Sequence, residues 1–133
     1  MALVIGILVV IIVAASVLFF IEPSTNAPAR SDAVVVLAGG NNSNRIDKGI
    51  ELVKAGYAPR LYVSAPGLTD CPKSLPSVPI TCFNPAPATT QGEAEYVGRL
   101  ARQYHWHSIA VVTTTPQDSR ARLRFERCFA GPV

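Results

Sequence analysis

The sequence predicts a small α/β domain with a parallel sheet, preceded by one transmembrane helix. Two observations support this fold class. Residues 2–21 contain 18 apolar residues of 20 and no charge, whereas the remaining 112 residues contain every charged residue and all 11 prolines. In that second part, short β-branched runs alternate with segments of helical periodicity, which is typical of parallel α/β proteins. A chain of 133 residues has room for one such core.

The apolar segment at 2–21 has the length of a membrane-spanning helix. At about 1.5 Å per residue it extends about 30 Å, the thickness of a bilayer core. The alternative is a cleaved signal peptide, since Ala27-Pro28-Ala29 resembles a cleavage site. We expect an uncleaved anchor, because the apolar part of a signal peptide usually has about 7–15 residues. Residues 22–31 are polar and form the predicted tether to a domain at 32–133.

Three strands and three helices are predicted in that domain. The strands are the apolar runs Asp32–Ala38, Arg60–Ala65 and Ser108–Thr114. Gly56 is expected to end the first helix. The apolar residues that recur at helical spacing are Ile46, Ile50, Val53 and Tyr57, then Ala94, Val97, Leu100, Ala101 and Tyr104, then Ala121, Phe125 and Cys128.

The carboxyl terminus follows the last predicted helix, 119–129, almost at once. Only Ala130–Val133 remain, so no strand returns to the sheet. Either the domain is minimal or the chain is truncated at its carboxyl terminus, and we expect truncation.

Ligands of open parallel sheets bind outside the carboxyl ends of the strands, and the first turn there is rich in glycine. Gly39 and Gly40 let a ligand approach the backbone, and Arg45 follows in the first turn of a helix, where backbone amides favour an anion. A tight turn with Asn44 as helix N-cap is the structural alternative. The loop matches neither the GxGxxG nor the Walker pattern, so no nucleotide cofactor is predicted.

The third strand ends in a similar turn. Thr113 and Thr114 lead to Arg120 in the first turn of the last helix. A cation there is disfavoured by the helix dipole by about 0.3–1 kcal/mol. Since Arg45 and Arg120 both occupy such positions, we expect both guanidinium groups to meet a carboxylate or phosphate. The other arginines of this helix are expected on a solvated face; they are Arg122, Arg124 and Arg127.

The middle helix opens with Thr90 and Glu93, which fit a capping box. In the functional alternative, Thr90 contacts the ligand and Glu93 acts as a base or orienting acid. Both roles are compatible, because caps at this edge of the sheet face the site. Ser64, at the end of the second strand, is expected at the rim. In the last helix, Asp118 or Ser119 is the predicted cap.

Together these residues resemble the YdcF-like family of bacterial envelope proteins. The resemblance covers residues 32–130 and depends on the order of Asp32–Gly40, Arg45, Ser64, Thr90-x-x-Glu93-Ala94, Thr113-Thr114 and Arg120-Ala121. It implies a Rossmann-like three-layer α/β fold behind an N-terminal anchor, and a role in envelope and peptidoglycan homeostasis. Family members usually have a histidine where this chain has Gln117, and Thr114 replaces a serine. Glutamine cannot carry a proton near neutral pH, which weakens any acid–base role that the resemblance implies.

Cysteines and histidines complete the candidate residues. Cys71 and Cys82 enclose a proline-rich loop. An extracytoplasmic compartment would allow them to pair, and closing a loop of about a dozen residues stabilises a fold by roughly 3 kcal/mol. Cys128 is expected to be a free core thiol. His105 and His107 lack a third metal ligand nearby, so a surface turn is predicted there and no metal site.

The distribution of basic residues gives only a weak indication of how the predicted membrane segment is oriented. Arg30 is the first basic residue, after the apolar segment, and the positive-inside rule then favours a cytoplasmic domain. A wrongly assigned start codon, with loss of a basic N-terminal stretch, is the alternative. The family resemblance and the cysteine pair favour an extracytoplasmic domain, and we expect that localisation at the cell membrane.

The function that the sequence predicts is that of a membrane-anchored envelope protein that binds or processes a phosphate- or carboxylate-bearing ligand. Its expected partners are the lipid bilayer and a lipid-linked or phosphorylated cell-wall intermediate. The net charge of +3 is too low to indicate nucleic-acid binding. The alternatives are a non-catalytic binding or regulatory module and a truncated, inactive relic. Whether the chain is an enzyme stays open, with Glu93 as the catalytic candidate.

Overall fold

A computed structural model describes residues 2–18, 27–40 and 42–133. The described residues form an α/β domain in which helices flank a parallel sheet, as the sequence predicts, and this sheet has four strands. The elements are α1 (Ala2–Ser16), β1 (Ala33–Val36), α2 (Asn42–Lys54), β2 (Leu61–Ser64), β3 (Ile80–Phe83), α3 (Thr90–Tyr104), β4 (Ile109–Val112) and α4 (Asp118–Cys128). The strand order β3-β2-β1-β4 is consistent with a Rossmann-like fold.

The predicted membrane segment is described in part. α1 covers 15 of its residues, while residues 19–21 and the first part of the tether, 22–26, lie outside the described residues. No helix among the described residues combines the length and the apolar character that crossing a membrane requires.

The centre of the sheet is β1, whose four residues are all buried. Successive side chains of a strand point to opposite faces. Val34 and Val36 therefore pack into the core beneath α2, and Ala33 and Val35 pack into the core beneath α3 and α4. Burial on both faces explains why the strand is a continuous apolar run without alternation.

The structure has one strand more than the sequence predicts. β3 lies inside the stretch that its prolines marked as a loop, and it pairs with β2 along the edge of the sheet. An edge strand tolerates proline nearby, because one side of its backbone makes no ladder hydrogen bonds. Cys82 of this strand is joined by a disulfide to Cys71, the pairing that the sequence predicts, with 5.9 Å between their Cα atoms.

The predicted carboxyl end of a helix agrees with the structure, whereas the predicted amino ends do not. Gly56 has the left-handed φ of 81° expected of a helix stop, and its N–H donates to the carbonyl of Val53 over 3.0 Å. α2 begins at Asn42, so Asn44 lies inside the helix and is not its N-cap. Before α4, a 3₁₀ turn at Thr115–Gln117 leads directly into the helix. The N-cap residue of α4 is Gln117, whose side chain makes no capping hydrogen bond, so the prediction of Asp118 or Ser119 as N-cap was wrong.

The amino edge of the sheet is tied together by Asp32. Its Oδ2 accepts hydrogen bonds from the backbone N–H groups of His107, at 2.6 Å, and Ser108, at 2.9 Å. His105 adopts a left-handed φ of 54° and caps the carboxyl end of α3. Both histidines are exposed, as expected for a surface turn. Cys128 is a free thiol, but it is only half-buried.

Candidate functional site

A cavity of about 540 Å³ opens at the edge of the sheet where the parallel strands end. We call it the carboxyl-edge cavity. The turn after β1, the start of α3 and the turn into α4 meet there. The predicted site residues that line it are Gly39, Thr90, Glu93, Gln117 and Arg120. The lining also includes Ala38, Pro66, Ala88, Thr89, Gln91 and Arg124. Five of the eleven lining residues are thus among those that the sequence predicts for a ligand site.

The backbone of Ala38 makes hydrogen bonds to two charged side chains, those of Glu93 in the cavity wall and of Arg45 beneath it. Glu93 Oε1 accepts a hydrogen bond from the Ala38 N–H over 2.7 Å. Arg45 Nη1 donates to the Ala38 carbonyl over 3.2 Å. We call Ala38, Arg45 and Glu93 the Ala38 clamp. It fixes the point where β1 ends and the Gly39-Gly40 turn begins.

The clamp changes the interpretation of the start of α3. The predicted capping box would direct the Glu93 carboxylate back to its own helix, but that carboxylate bonds to Ala38, 55 residues away. Thr89, not Thr90, is the N-cap, and its Oγ1 accepts from the Gly92 N–H over 3.2 Å. The prediction of a capping box was wrong, because the Glu93 carboxylate accepts from the Ala38 N–H instead of from its own helix. Thr89 caps the helix in its place.

Burial dominates the electrostatics of Glu93, whose exposed fraction is 3%. Desolvation raises the pKa of this carboxyl above its usual 4.5. The Ser64 hydroxyl, the Ala38 N–H and the charges of Arg45 and Arg120 oppose that rise without cancelling it. A carboxyl with a raised pKa in a cleft is a common feature of ligand and catalytic sites.

Arg45 and Ser64 lie under the cavity instead of lining it. Arg45 is 5% exposed and Ser64 is 1% exposed. Burial lowers the pKa of the Arg45 guanidinium, and the charge of Glu93 partly restores it. The Ser64 hydroxyl favours the charged form of Glu93, although it makes no hydrogen bond of ordinary geometry among the described residues. The structure thus does not bring Arg45 to the ligand-facing surface, because the fourth residue of α2 faces the core.

Arg124, and not Arg45, is the second arginine of the cavity lining. It was expected on a solvated face, but it lines the cavity beside Arg120. The signal was present in the sequence, since residues four apart share one face of a helix. If Arg120 faces a ligand, Arg124 is therefore expected to face it as well.

The glycine turn contributes one residue to the cavity. Gly39 lines it with a φ of 113°, and a Cβ at this position would lie 3.6 Å from Nε2 of Gln117. Gln117 is thus beside the backbone of the turn. Gly40 also has a positive φ, 56°, but it is exposed outside the cavity lining. Its role is to reverse the chain, since the left-handed region favours glycine.

Thr113 and Thr114 are separated from the other predicted site residues. They line a second cavity, of about 550 Å³, which runs along the open side of β4. We call it the β4 groove. β4 is the last strand of the sheet, so the chain that leaves it turns towards the unpaired edge. These two threonines therefore do not complete the ring that the sequence predicts around the ligand.

Neither residue clusters nor likeness to other proteins identify a ligand. Among residues 2–18, 27–40 and 42–133, no group of three or more His, Cys, Asp or Glu side chains could hold a metal ion. Comparisons with protein-family models, with curated proteins and with solved structures found no match. The chemistry of the carboxyl-edge cavity thus follows from its own residues, which are two arginines, several hydroxyl and amide groups and one buried carboxylate.

Proposed function

We propose that this chain is a membrane-anchored, YdcF-like envelope protein that binds a phosphate- or carboxylate-bearing ligand in the carboxyl-edge cavity. The observation that carries the proposal is the presence of both Arg120 and Arg124 in the cavity wall. Two guanidinium groups on one helix face can bind the oxygens of one anionic group. The first turn of α3, with Thr89, Thr90 and Gln91 in the lining, adds backbone and side-chain donors.

The contacts around Glu93 and Gln117 favour ligand binding without proton transfer. This is the non-catalytic alternative that the sequence left open. Glu93 is the single carboxylic acid in the described lining, and one of its oxygens is held by the Ala38 N–H. Gln117 stands where the family resemblance leads one to expect a histidine, and an amide does not titrate near neutral pH. The positions of Glu93 and Gln117 therefore support a binding or regulatory module for an anionic molecule, with a lipid-linked or phosphorylated wall intermediate as the expected ligand.

The direct test is a thermal-shift titration of the full chain in detergent micelles. The probes are inorganic phosphate and undecaprenyl phosphate, which distinguish a soluble anion from a lipid-linked one. We expect Arg120→Ala and Arg124→Ala each to weaken binding by about 1.5–3 kcal/mol, the contribution of a charged hydrogen bond. Arg127→Ala is the matched control, because Arg127 is exposed on the same helix. Equal loss in all three variants would show general charge attraction and would contradict the proposed site.

The anchor and its orientation are part of the same proposal. Large apolar side chains between Leu3 and Leu18 are exposed, which suits contact with lipid. The Cys71–Cys82 disulfide supports an extracytoplasmic domain, because cytosolic thiols are kept reduced. An alkaline-phosphatase fusion after Ala29 should be active, and a cytoplasmic reporter at the same point should be inactive. The reverse result would overturn the orientation and leave the anion site to be judged by its own titration.

A further inference from the structure

The lining of the carboxyl-edge cavity combines two cations with one carboxylate. Arg120 and Arg124 of α4 are the cations, and Glu93 of α3 is the carboxylate. An anion bound in this cavity is attracted by the guanidinium groups and repelled by Glu93. A carboxylate in the wall of an anion site therefore lowers the affinity for most anions, unless the ligand offers it a hydrogen-bond donor.

The carboxylate of Glu93 is held in place by residues at the ends of two strands. Its Oε1 accepts from the N–H of Ala38, which follows β1, and the hydroxyl of Ser64, the last residue of β2, favours its charged form. Glu93 is only 3% exposed, so water contributes little to satisfying its oxygens. A carboxylate can accept about four hydrogen bonds, and the one from Ala38 leaves it able to accept from a ligand as well.

Among the described residues, the charged groups that act on Glu93 or share its cavity are arginines. Arg45 lies beneath the cavity, and Arg120 and Arg124 lie in its wall. Arginine stays charged near neutral pH. Burial raises the pKa of the Glu93 carboxyl, so Glu93 is the group in these surroundings whose charge is sensitive to pH. A ligand that brings its own proton thus meets constant positive charge from the arginines and a hydrogen-bond acceptor in Glu93.

We propose that Glu93 makes the carboxyl-edge cavity selective for phosphate groups that carry a proton, namely hydrogen phosphate or the monoanion of a phosphate monoester. This inference rests on the proposed anion site, because Arg120 and Arg124 bind the charged oxygens while Glu93 accepts a hydrogen bond from the P–OH group. Sulfate and phosphodiesters have no such proton near neutral pH. They place an oxygen lone pair against the carboxylate and are disfavoured.

Isothermal titration calorimetry of the full chain in detergent micelles compares inorganic phosphate with sulfate at pH 8 and constant ionic strength. Both are tetrahedral dianions at this pH, and only phosphate carries a proton. The parent chain should bind phosphate about tenfold more tightly or better, the effect of a hydrogen bond to a charged group. Glu93→Gln, whose amide can donate to either anion, should bring the two affinities within about twofold. Glu126→Gln, exposed on α4, is the matched control and should keep the preference.

The pH dependence of methyl phosphate binding tests the selectivity without a variant. A phosphate monoester loses its last proton at about pH 6, so the monoanion gives way to the dianion as the pH rises. The affinity of the parent chain for methyl phosphate should therefore fall by about tenfold or more between pH 5 and pH 8. A site made of arginines alone would bind the dianion more tightly, and its affinity would rise over the same range.

Two results would overturn the selectivity while leaving the anion site intact. One is equal affinity for phosphate and sulfate in the parent chain, with both affinities weakened together by Arg120→Ala. The other is methyl phosphate binding that strengthens towards pH 8. If neither phosphate nor sulfate binds in a saturable way, the anion site itself is wrong, and the selectivity is overturned with it.

Discussion

Two carboxylates at opposite edges of the same sheet experience opposite environments. Asp32, at the amino edge, accepts two backbone hydrogen bonds, which lower the pKa of its carboxyl below the usual 3.8. Glu93, at the carboxyl edge, also accepts a backbone hydrogen bond, but burial raises the pKa of its carboxyl. The two groups differ in exposure more than in hydrogen bonding. Desolvation therefore decides the sign of the shift.

The difference separates a structural edge from a candidate binding edge. The backbone hydrogen bonds of Asp32 outweigh the desolvation of its carboxylate, and they join β1 to the chain that enters β4. Burial disfavours the charged form of Glu93, which has two arginines nearby and lines the cavity. Groups kept in an unfavourable state are concentrated at functional sites. This contrast is the physical reason to look for a ligand at the carboxyl edge.

Of the three substitutions, removal of the Arg45 side chain should destabilise the fold most. Arg45→Ala removes the Arg45 hydrogen bond to the Ala38 carbonyl and leaves the buried Glu93 without the stronger of its two compensating charges. We expect it to lower the free energy of unfolding by about 3 kcal/mol. Urea denaturation of the full chain in detergent measures this. Lys48→Ala on the same helix is the exposed control, and it should cost less than about 0.5 kcal/mol. Equal small losses in both variants would mean that the Ala38 clamp does not stabilise the fold.

Neutralising Glu93 should have a smaller effect, seen mainly in how stability depends on pH. Because its folded-state pKa is raised, Glu93 stabilises the fold fully below about pH 4.5, and this contribution is lost as the pH rises through the folded-state pKa. Glu93→Gln keeps an acceptor for the Ala38 N–H without the charge. Its stability should therefore fall less than that of the parent chain between pH 4 and pH 8. Because Glu93→Gln also leaves the buried guanidinium of Arg45 without its compensating charge, part of the gain at pH 7 is offset. Melting temperatures from pH 4 to pH 8 test this, with Glu126→Gln as the exposed control. A variant whose stability falls as steeply with rising pH as that of the parent chain would contradict the assigned desolvation.

Neutralising Asp32 should have the smallest effect, with the reverse pH dependence. Its folded-state pKa is lowered, so its contribution is present above the unfolded value of 3.8 and is lost as the pH falls through the folded-state pKa. Asp32→Asn should cost about 0.5 kcal/mol at pH 7, because solvent screens a charge that is only half-buried. The parent and the variant should converge below pH 3, as followed by circular dichroism. A difference that grows in acid would show that the backbone hydrogen bonds do not require the charge.

Much of the architecture could be predicted from the sequence because it depends on local pattern. Continuous β-branched runs identify buried strands, and helical spacing identifies the faces that cover them. Gly56 ends α2 because the left-handed backbone there favours glycine. Cys71 and Cys82 are close enough along the chain to pair. Several predicted site residues line one cavity at the carboxyl edge, since parallel strands bring the turns that follow them together.

Tertiary structure alone decided which polar groups face the cavity. Helical periodicity gives the spacing of a helix's faces but not the rotation of that helix against the sheet, so Arg45 lies inside and Arg124 outside. Glu93 was assigned to its own helix because a capping motif is local, whereas its partner Ala38 is 55 residues away. β3 escaped prediction because pairing with β2, not intrinsic propensity, makes that stretch a strand. Thr113 and Thr114 turn towards the β4 groove because β4 has a neighbour on one side only. Each of these outcomes depends on contacts between residues distant in sequence, which local patterns do not contain.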